Sequence, residues 1–351
     1  MDLFNRTPAQ AGIFSTVIEK DRMMASVVIR ETHLIEAGEL RLDADAPWAA
    51  DGAPIKTEFG EFDADSPFPR AATDVFVLGK AYPPVAGNGT EARVEIGIGL
   101  EFSSEILVRG DRRWVRQGAD LVASRPEPFD AIPLTWEYAY GGKCASDTGD
   151  FAFPTNPHGR GLYLTAEQAE GGVLPNLEHP QWPVRTWQDR PEPVAMSPLG
   201  VDSGFRALRA AQFDTASVPP KVLKIRQQFF NNAAPRMMTA RAIDPDAAVH
   251  VQGVRPGGRE LRFRLPGNQY HVYVQLANRA YVFPAHIDFL AVLAEEQRVV
   301  VGYRCAFRYR FSPLERRAAV LYPGSVPDAP RAGYLIDWDA ADRAAREALH
   351  G

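Results

Sequence analysis

A mainly β fold is expected from three features of this 351-residue chain: runs of alternating apolar and polar residues, turn residues spaced closely between them, and abundant glycine and proline. The chain holds 28 Gly and 29 Pro, about one residue in six, against roughly 12 % in average proteins. That excess favours turn-rich sheets over a helical bundle. With 45 % hydrophobic residues the chain can bury a substantial core. The expected architecture is two antiparallel β-rich lobes, sandwich or barrel-like, over 1–125 and 221–351. A long ordered loop region over 126–220, rich in Pro, Gly and aromatic residues, joins and packs on them, and a short helix ends the chain.

The first elements follow from period-2 alternation. Met24, Ser26 and Val28 alternate with Ala25, Val27 and Ile29, and after Ala37 and Gly38 the run ELRLD resumes, which together read as a hairpin. TDVFVLGKAY, ARVEIGIGLEF and EILVRGDRRWV supply further strands around turns at Asn88, Gly89, Gly110 and Asp111. Residues from about 14 to 125 therefore read as one antiparallel meander. Later, AVHVQGV, RELRFRLP, YHVYVQLANRAYVF, HIDFLAVL and RVVVGYRCAFRY form a second set of strands, with Val272, Val274 and Leu276 on one buried face. The EEQ before Arg298 occupies a hairpin turn. PKVLKIRQQFFNNAAP fits neither period cleanly, since Leu223, Phe229 and Phe230 break both, and it can be a strand or a short helix. Asp337 or Asp339 can cap a terminal helix through Leu349, with Ala341, Ala345 and Ala348 on one side and an Asp342–Arg346 pair on another. Pro191 to Pro198 is the nearest thing to a linker.

Composition narrows function. A net charge of -5 and a pI near 5.9 give no positive field for nucleic acid. Cys144 and Cys305 are far apart and lack a metal or disulfide spacing. The N-terminal MDLFNRTPAQAGIF has no basic stretch followed by a long apolar run, and no segment approaches the ~18 apolar residues of a membrane span. A cytoplasmic location without stable membrane insertion is expected.

The segment from Phe129 to Pro180 has neither helical nor strand periodicity. PFDAIPLTWEYAYGG, FPTNPHGRGLY and LPNLEHP instead combine rings with residues that fix or free the backbone. A long shaped loop on a scaffold usually recognises something. Trp136, Tyr138, Tyr140, Phe151, Phe153 and Tyr163 offer large contact surfaces of low entropy, and Arg160 a planar charge. The competing reading is that these rings form the inside of the loop. Gly141, Gly142, Gly159 and Gly161, with Asn156, Pro157, Asn176 and Glu178, are then candidates for shaping it.

Catalytic motifs are missing. Gly97 and Gly99 sit inside an alternating strand, so no dinucleotide fingerprint is formed, and GGKCAS at Gly141–Ser146 lacks the phosphate-loop spacing. The seven histidines include no H-x-H or H-E-x-x-H, and Ser203 before Gly204 is no nucleophile elbow. No cofactor and no metal are expected. Asp130, Glu137, Asp147, Asp150 and Glu178 can supply an acid and base pair of the kind glycosidases use. Alternatively, Glu137 accepts hydrogen bonds from loop amides or from Arg160 and holds the loop shape.

The ordered set TDVFVLGKAYPP, RGDRRW, PFDAIPLTWEYAYGG, NPHGRG, LPNLEHP and FFNNAAP resembles a bacterial domain family encoded in type VI secretion loci beside VgrG, PAAR and effector genes. The resemblance runs from Asn5 to about Arg308. It implies a non-catalytic adaptor, or effector chaperone, that binds a toxic effector in the producing cell and helps load it on the VgrG and PAAR spike. His158 in the variable slot of NPHGRG, the lead into FFNNAAP and the stretch from Trp187 to Ser217 depart from the family pattern, and cargo choice is expected to reside in such segments. The alternative expectation is a carbohydrate-active or other hydrolytic enzyme using the central carboxylates. A purely architectural role at the spike is a third.

Overall fold

The fifteen-residue strand Arg22–Glu36 is the longest described element of the protein, seen here in a computed structural model that describes residues 1–85, 87–146, 149–200, 203–206, 227–276, 279–312 and 315–327. Its stretch of β-branched and apolar residues suits a pleated, buried surface. It pairs antiparallel with Arg298–Arg310 from Arg22 opposite Arg310 to Leu34 opposite Arg298. Its other edge takes Gln10–Glu19 and then Glu39–Leu42. The expected hairpin at Ala37–Gly38 is present, with φ of 51° and 93° at the two turn residues. Such paired positive φ values match the twist of the flanking strands. The turn before Arg298 is present too, with Gln297 at φ 51°.

Among the described residues the main sheet has seven strands, running Met238–Thr239, Thr73–Leu78, His286–Leu293, Arg298–Arg310, Arg22–Glu36 and Gln10–Glu19, with Glu39–Leu42 also on Arg22–Glu36. Thr73–Leu78 is buried throughout and lies parallel to His286–Leu293, with Asp74 opposite Phe289 and Leu78 opposite Leu293. A strand covered on both faces reads as a continuous apolar run, as VFVL does. A second sheet of five strands is ordered Leu177–Glu178, Phe102–Arg109, Glu91–Ile98, Ala248–Gln252, Leu261–Arg264. Its alternation puts Ala92, Val94, Ile96 and Ile98 inside and Glu91 and Arg93 outside. A third sheet sets Asp2–Asn5 parallel to Arg317–Pro323, followed by Tyr270–Leu276 and Arg279–Pro284. Val272 and Val274 face inward as expected.

The fold is mainly β, in several sheets, and among the described residues none closes into a barrel. The meander expected for 14–125 is not continuous: Thr73–Leu78 pairs with strands from beyond residue 237, and Trp114–Gln117 forms a separate two-stranded ladder with Asp120–Ala123. Strands from 1–125 and from 221–351 alternate in the same sheets, and the buried faces of all three share one hydrophobic core that includes Ile29, Val75, Ile96, Val272 and Val301. Local alternation marks a strand but carries no record of a distant partner, so sequence order and sheet order diverge. Pro191–Pro198 is no linker either: Val194 to Pro198 are buried, with Met196 N–H donating to Leu134 O (3.1 Å) and Met196 O accepting from Val77 N–H (3.1 Å). Of the undecided segment, Gln227–Phe230 is a 3-10 helix and 221–226 lie outside the described residues, as does the expected terminal helix.

FFNNAAP and TDVFVLG meet at a buried charge. Asp74 accepts from Asn231 Nδ2 (2.8 Å) and from Asn232 N–H (2.9 Å), while Asn231 Nδ2 also reaches Ala72 O (2.8 Å). Arg70 lies 3.2 Å from both Asp74 and Asp288. Arg304 donates to Asp288 (2.6 Å) and Arg30 to Asp65 (2.5 Å). Three arginines and three aspartates thus tie the edge of the main sheet to the chain before Thr73 and to the segment after Phe230. Burial by itself raises the Asp288 carboxyl, but Arg304 and Arg70 hold it below its ordinary value.

Removing one partner leaves the other charges buried and unpaired, which costs about 3–5 kcal/mol. Asp74→Ala is expected to lower the unfolding free energy by about that much, read from urea denaturation. A carboxyl depressed in the folded state contributes stability that is complete above its unfolded pKa and is lost as pH falls through the folded value. The Asp288 contribution is therefore full at neutral pH and declines below about pH 4. Urea midpoints between pH 7 and 3 should fall on the acid side, less steeply in Asp288→Asn.

Candidate functional site

TWEYAYGG enters from the strand Ile132–Pro133 and makes one 3-10 turn, Trp136–Tyr138. Tyr140–Gly141 then pairs parallel with Arg160–Gly161 from NPHGRG. Gly141 and Gly142 take φ of 142° and 110°, and a Cβ on Gly141 would lie 2.2 Å from Asn156 O. Only glycine fits such a backbone. Inside the turn the Asn156 side chain donates to Trp136 O (2.8 Å) and Tyr140 O (3.0 Å), and the Asn156 main-chain carbonyl accepts from Gly142 N–H (2.9 Å). Gly159 leaves the room this amide needs: a Cβ there would sit 2.4 Å from Asn156 Nδ2. Gly161 passes Pro175 in the same way, and half-buried Pro157 follows Asn156 into the turn.

LPNLEHP joins this knot to the five-stranded sheet. Asn176 Nδ2 donates to Arg109 O and to Asp111, both at 2.9 Å, and Asn176 N–H to Tyr138 O (2.9 Å). Arg160 donates to Asn176 Oδ1 (3.1 Å) and to Glu137 O (2.8 Å), with its guanidinium 4.3 Å from the Tyr138 ring centre. Glu178, 3 % exposed, meets Arg109 at 2.9 Å and Arg112 at 3.1 Å, and its other oxygen accepts from Val184 N–H (3.0 Å).

The rings divide by location. Trp136 and Tyr140 are buried, and burial pushes the Tyr140 hydroxyl up to about 12. Tyr138, Phe153 and Tyr163 are half-buried, and Phe151 is 43 % exposed. Tyr140, Leu162, Leu174, Val184 and Trp114 form a second, smaller core. The module around it leaves three large apolar side chains in solvent: Val115, Phe151 and Trp182, the last 69 % exposed. Periodicity could not mark Trp182, which stands on a tight turn closed by Trp182 N–H to His179 O (3.1 Å).

The central carboxylates point elsewhere than a shared cleft. Asp130, Glu137 and Asp150 are exposed, Glu178 is turned into the frame against its two arginines, and Asp147 lies outside the described residues. Arg160 holds Glu137 through the main-chain carbonyl, not the carboxylate. Among the described residues no cluster of His, Cys, Asp and Glu could hold a metal ion, and no helix is long and apolar enough to cross a membrane. Cys144 and Cys305 are both free, and burial raises the Cys305 thiol to about 12.

A hollow of about 180 Å³ opens beside Trp136. The Trp136 indole N–H donates to Ser197 O (3.2 Å) and Pro198 O (3.1 Å), which fixes the ring as one wall. The tip of the Ile55–Thr57 and Gly60–Phe62 hairpin supplies Phe59 and Glu61, and Glu137 and His158 stand at the central-loop side. Pro191–Pro198, read from sequence as the nearest thing to a linker, supplies Ser197 and Pro198, and Leu199 follows them.

Two variants test the lock. Asn156→Ala leaves the Trp136 and Tyr140 carbonyls without their donor and is expected to cost roughly 2–4 kcal/mol in urea unfolding. Gly141→Val combines a forbidden φ with a collision on Asn156 O, and its melting temperature should fall further than that of Asn156→Ala.

No curated protein and no solved structure matches the chain. Residues 20–304 match the family described as "Uncharacterized protein conserved in bacteria (DUF2169)". That interval takes in most of the main sheet, the charge network and the whole central knot. The chain belongs to this bacterial family.

Proposed function

We propose that this protein is a non-catalytic adaptor that binds a type VI secretion effector in the cytoplasm and promotes its loading onto the VgrG and PAAR spike. The observation that carries the reading is the central module. Its loops are fixed from within by Asn156, Asn176, Arg160 and four glycines, yet it holds Trp182, Phe151 and Val115 out in solvent. A stiff surface loses little entropy when it meets a partner, and exposed Trp is the side chain most enriched where binding energy concentrates. The resemblance of the ordered sequence motifs to type VI adaptors supports the same reading. Tyr138 and Tyr140 then act as the brace behind the contact face, and the exposed rings are part of the contact.

Co-expression with a candidate effector from the neighbouring genes gives the test. The adaptor should co-purify with that effector and raise its soluble yield. Trp182→Ala combined with Phe151→Ser should weaken capture by about tenfold or more, with an unchanged melting temperature because both side chains are solvent-facing. An effector that is soluble and delivered normally in a strain lacking this protein would sink the assignment.

A further inference from the structure

We infer that the hollow beside Trp136 is an anchor pocket for one apolar side chain of the partner polypeptide, taken from a segment with a lysine or arginine next to that side chain. This rests on the adaptor reading and names what the cargo presents. Size comes first. At about 180 Å³ the hollow is below the ~300–1,000 Å³ of cofactor and small-molecule sites. It is close to the ~150 Å³ that holds a benzene ring in an apolar protein cavity. One phenyl or leucyl side chain fills it.

The walls agree with that occupant. Phe59, Trp136, Pro157, Pro198 and Leu199 line it, and Trp136 and Leu199 are 8 % and 1 % exposed. They are held in place, the indole by its two carbonyl acceptors and Leu199 by Leu199 N–H to Asn232 O (2.7 Å). A preformed apolar socket needs no rearrangement to receive a side chain.

The rim restricts the occupant further. It carries the exposed carboxylates of Glu137 and of Glu61, the latter 3.8 Å from Lys56 Nζ, and among the described residues no lysine or arginine lines the hollow itself. A cation beside the anchor is attracted there and a carboxylate repelled, which gives register as well as affinity.

The experiment uses the full chain labelled with 5-fluorotryptophan, with the Trp136 resonance assigned from Trp136→Phe. Two capped peptides are titrated in, Gly-Ser-Phe-Lys-Ser-Gly and Gly-Ser-Phe-Asp-Ser-Gly. The lysine peptide should shift the Trp136 fluorine signal and bind about tenfold or more tighter than the aspartate peptide. In the double variant Glu61→Lys, Glu137→Lys, whose substituted side chains lie on the surface, that preference should invert. Equal shifts by both peptides, or none, overturn the pocket. Cargo that co-purifies while the Trp136 signal stays put removes this pocket and leaves the adaptor reading standing. A lysine-selective shift in a protein that captures no effector removes the adaptor reading and leaves the pocket.

Discussion

Chain that leaves a sheet and still runs through the interior carries amides and carbonyls to places where no ladder can pair them, and each one left bare is costly. Three asparagines meet that demand here. Asn156 stands inside its turn and serves the carbonyls of Trp136 and Tyr140, while Asn176 serves Arg109 O and takes a bond from Arg160. Asn231 bridges Ala72 O and Asp74 and accepts from Ala71 N–H. A side-chain amide offers donors and an acceptor on a short arm, so it can imitate a neighbouring strand where none reaches. The local shape of the central loop follows from this: Gly159 makes room for the Asn156 amide and Gly141 for its main-chain carbonyl.

The charge network does for the main sheet what the asparagines do for the loops. Arg70, Asp74, Asp288 and Arg304 sit on segments that are remote in sequence, and each carboxylate contacts at least one arginine. Replacing such a set with apolar residues can be neutral for stability, so its value lies in specificity of arrangement. A chain that pairs distant strands in parallel needs a device that admits one register and refuses a slip. Arg70 bridging Asp74 and Asp288, which lie on neighbouring strands, is placed to do that.

Much of the strand content was legible because alternation and turn chemistry are local. Ala37–Gly38 and the EEQ turn announce hairpins by residue type, and VFVL announces a buried strand. Strand partners were not legible, since nothing in TDVFVLG says that HIDFLAVL will lie beside it. In the central region the composition marked the right residues, yet ring content does not say which way a ring faces. Trp136 and Tyr140 turned inward, while Trp182, in a short run of Pro and His, became the most exposed tryptophan of the module. Glu61 and Ser197 carried no signal at all: one is a lone acid in a hairpin, the other a serine among prolines. Their relation exists only once Phe59–Glu61 and Ser197–Leu199 are folded against Trp136.

The parallel pairing of Thr73–Leu78 with His286–Leu293 sets a condition on synthesis. Thr73 Oγ1 and Ile287 O, hydrogen-bonded at 2.9 Å, are 214 residues apart. A ribosome adding about 5–20 residues per second leaves VFVL waiting tens of seconds for its neighbour. During that interval an apolar strand stands without cover, and anything that stalls elongation before His286 prolongs the hazard.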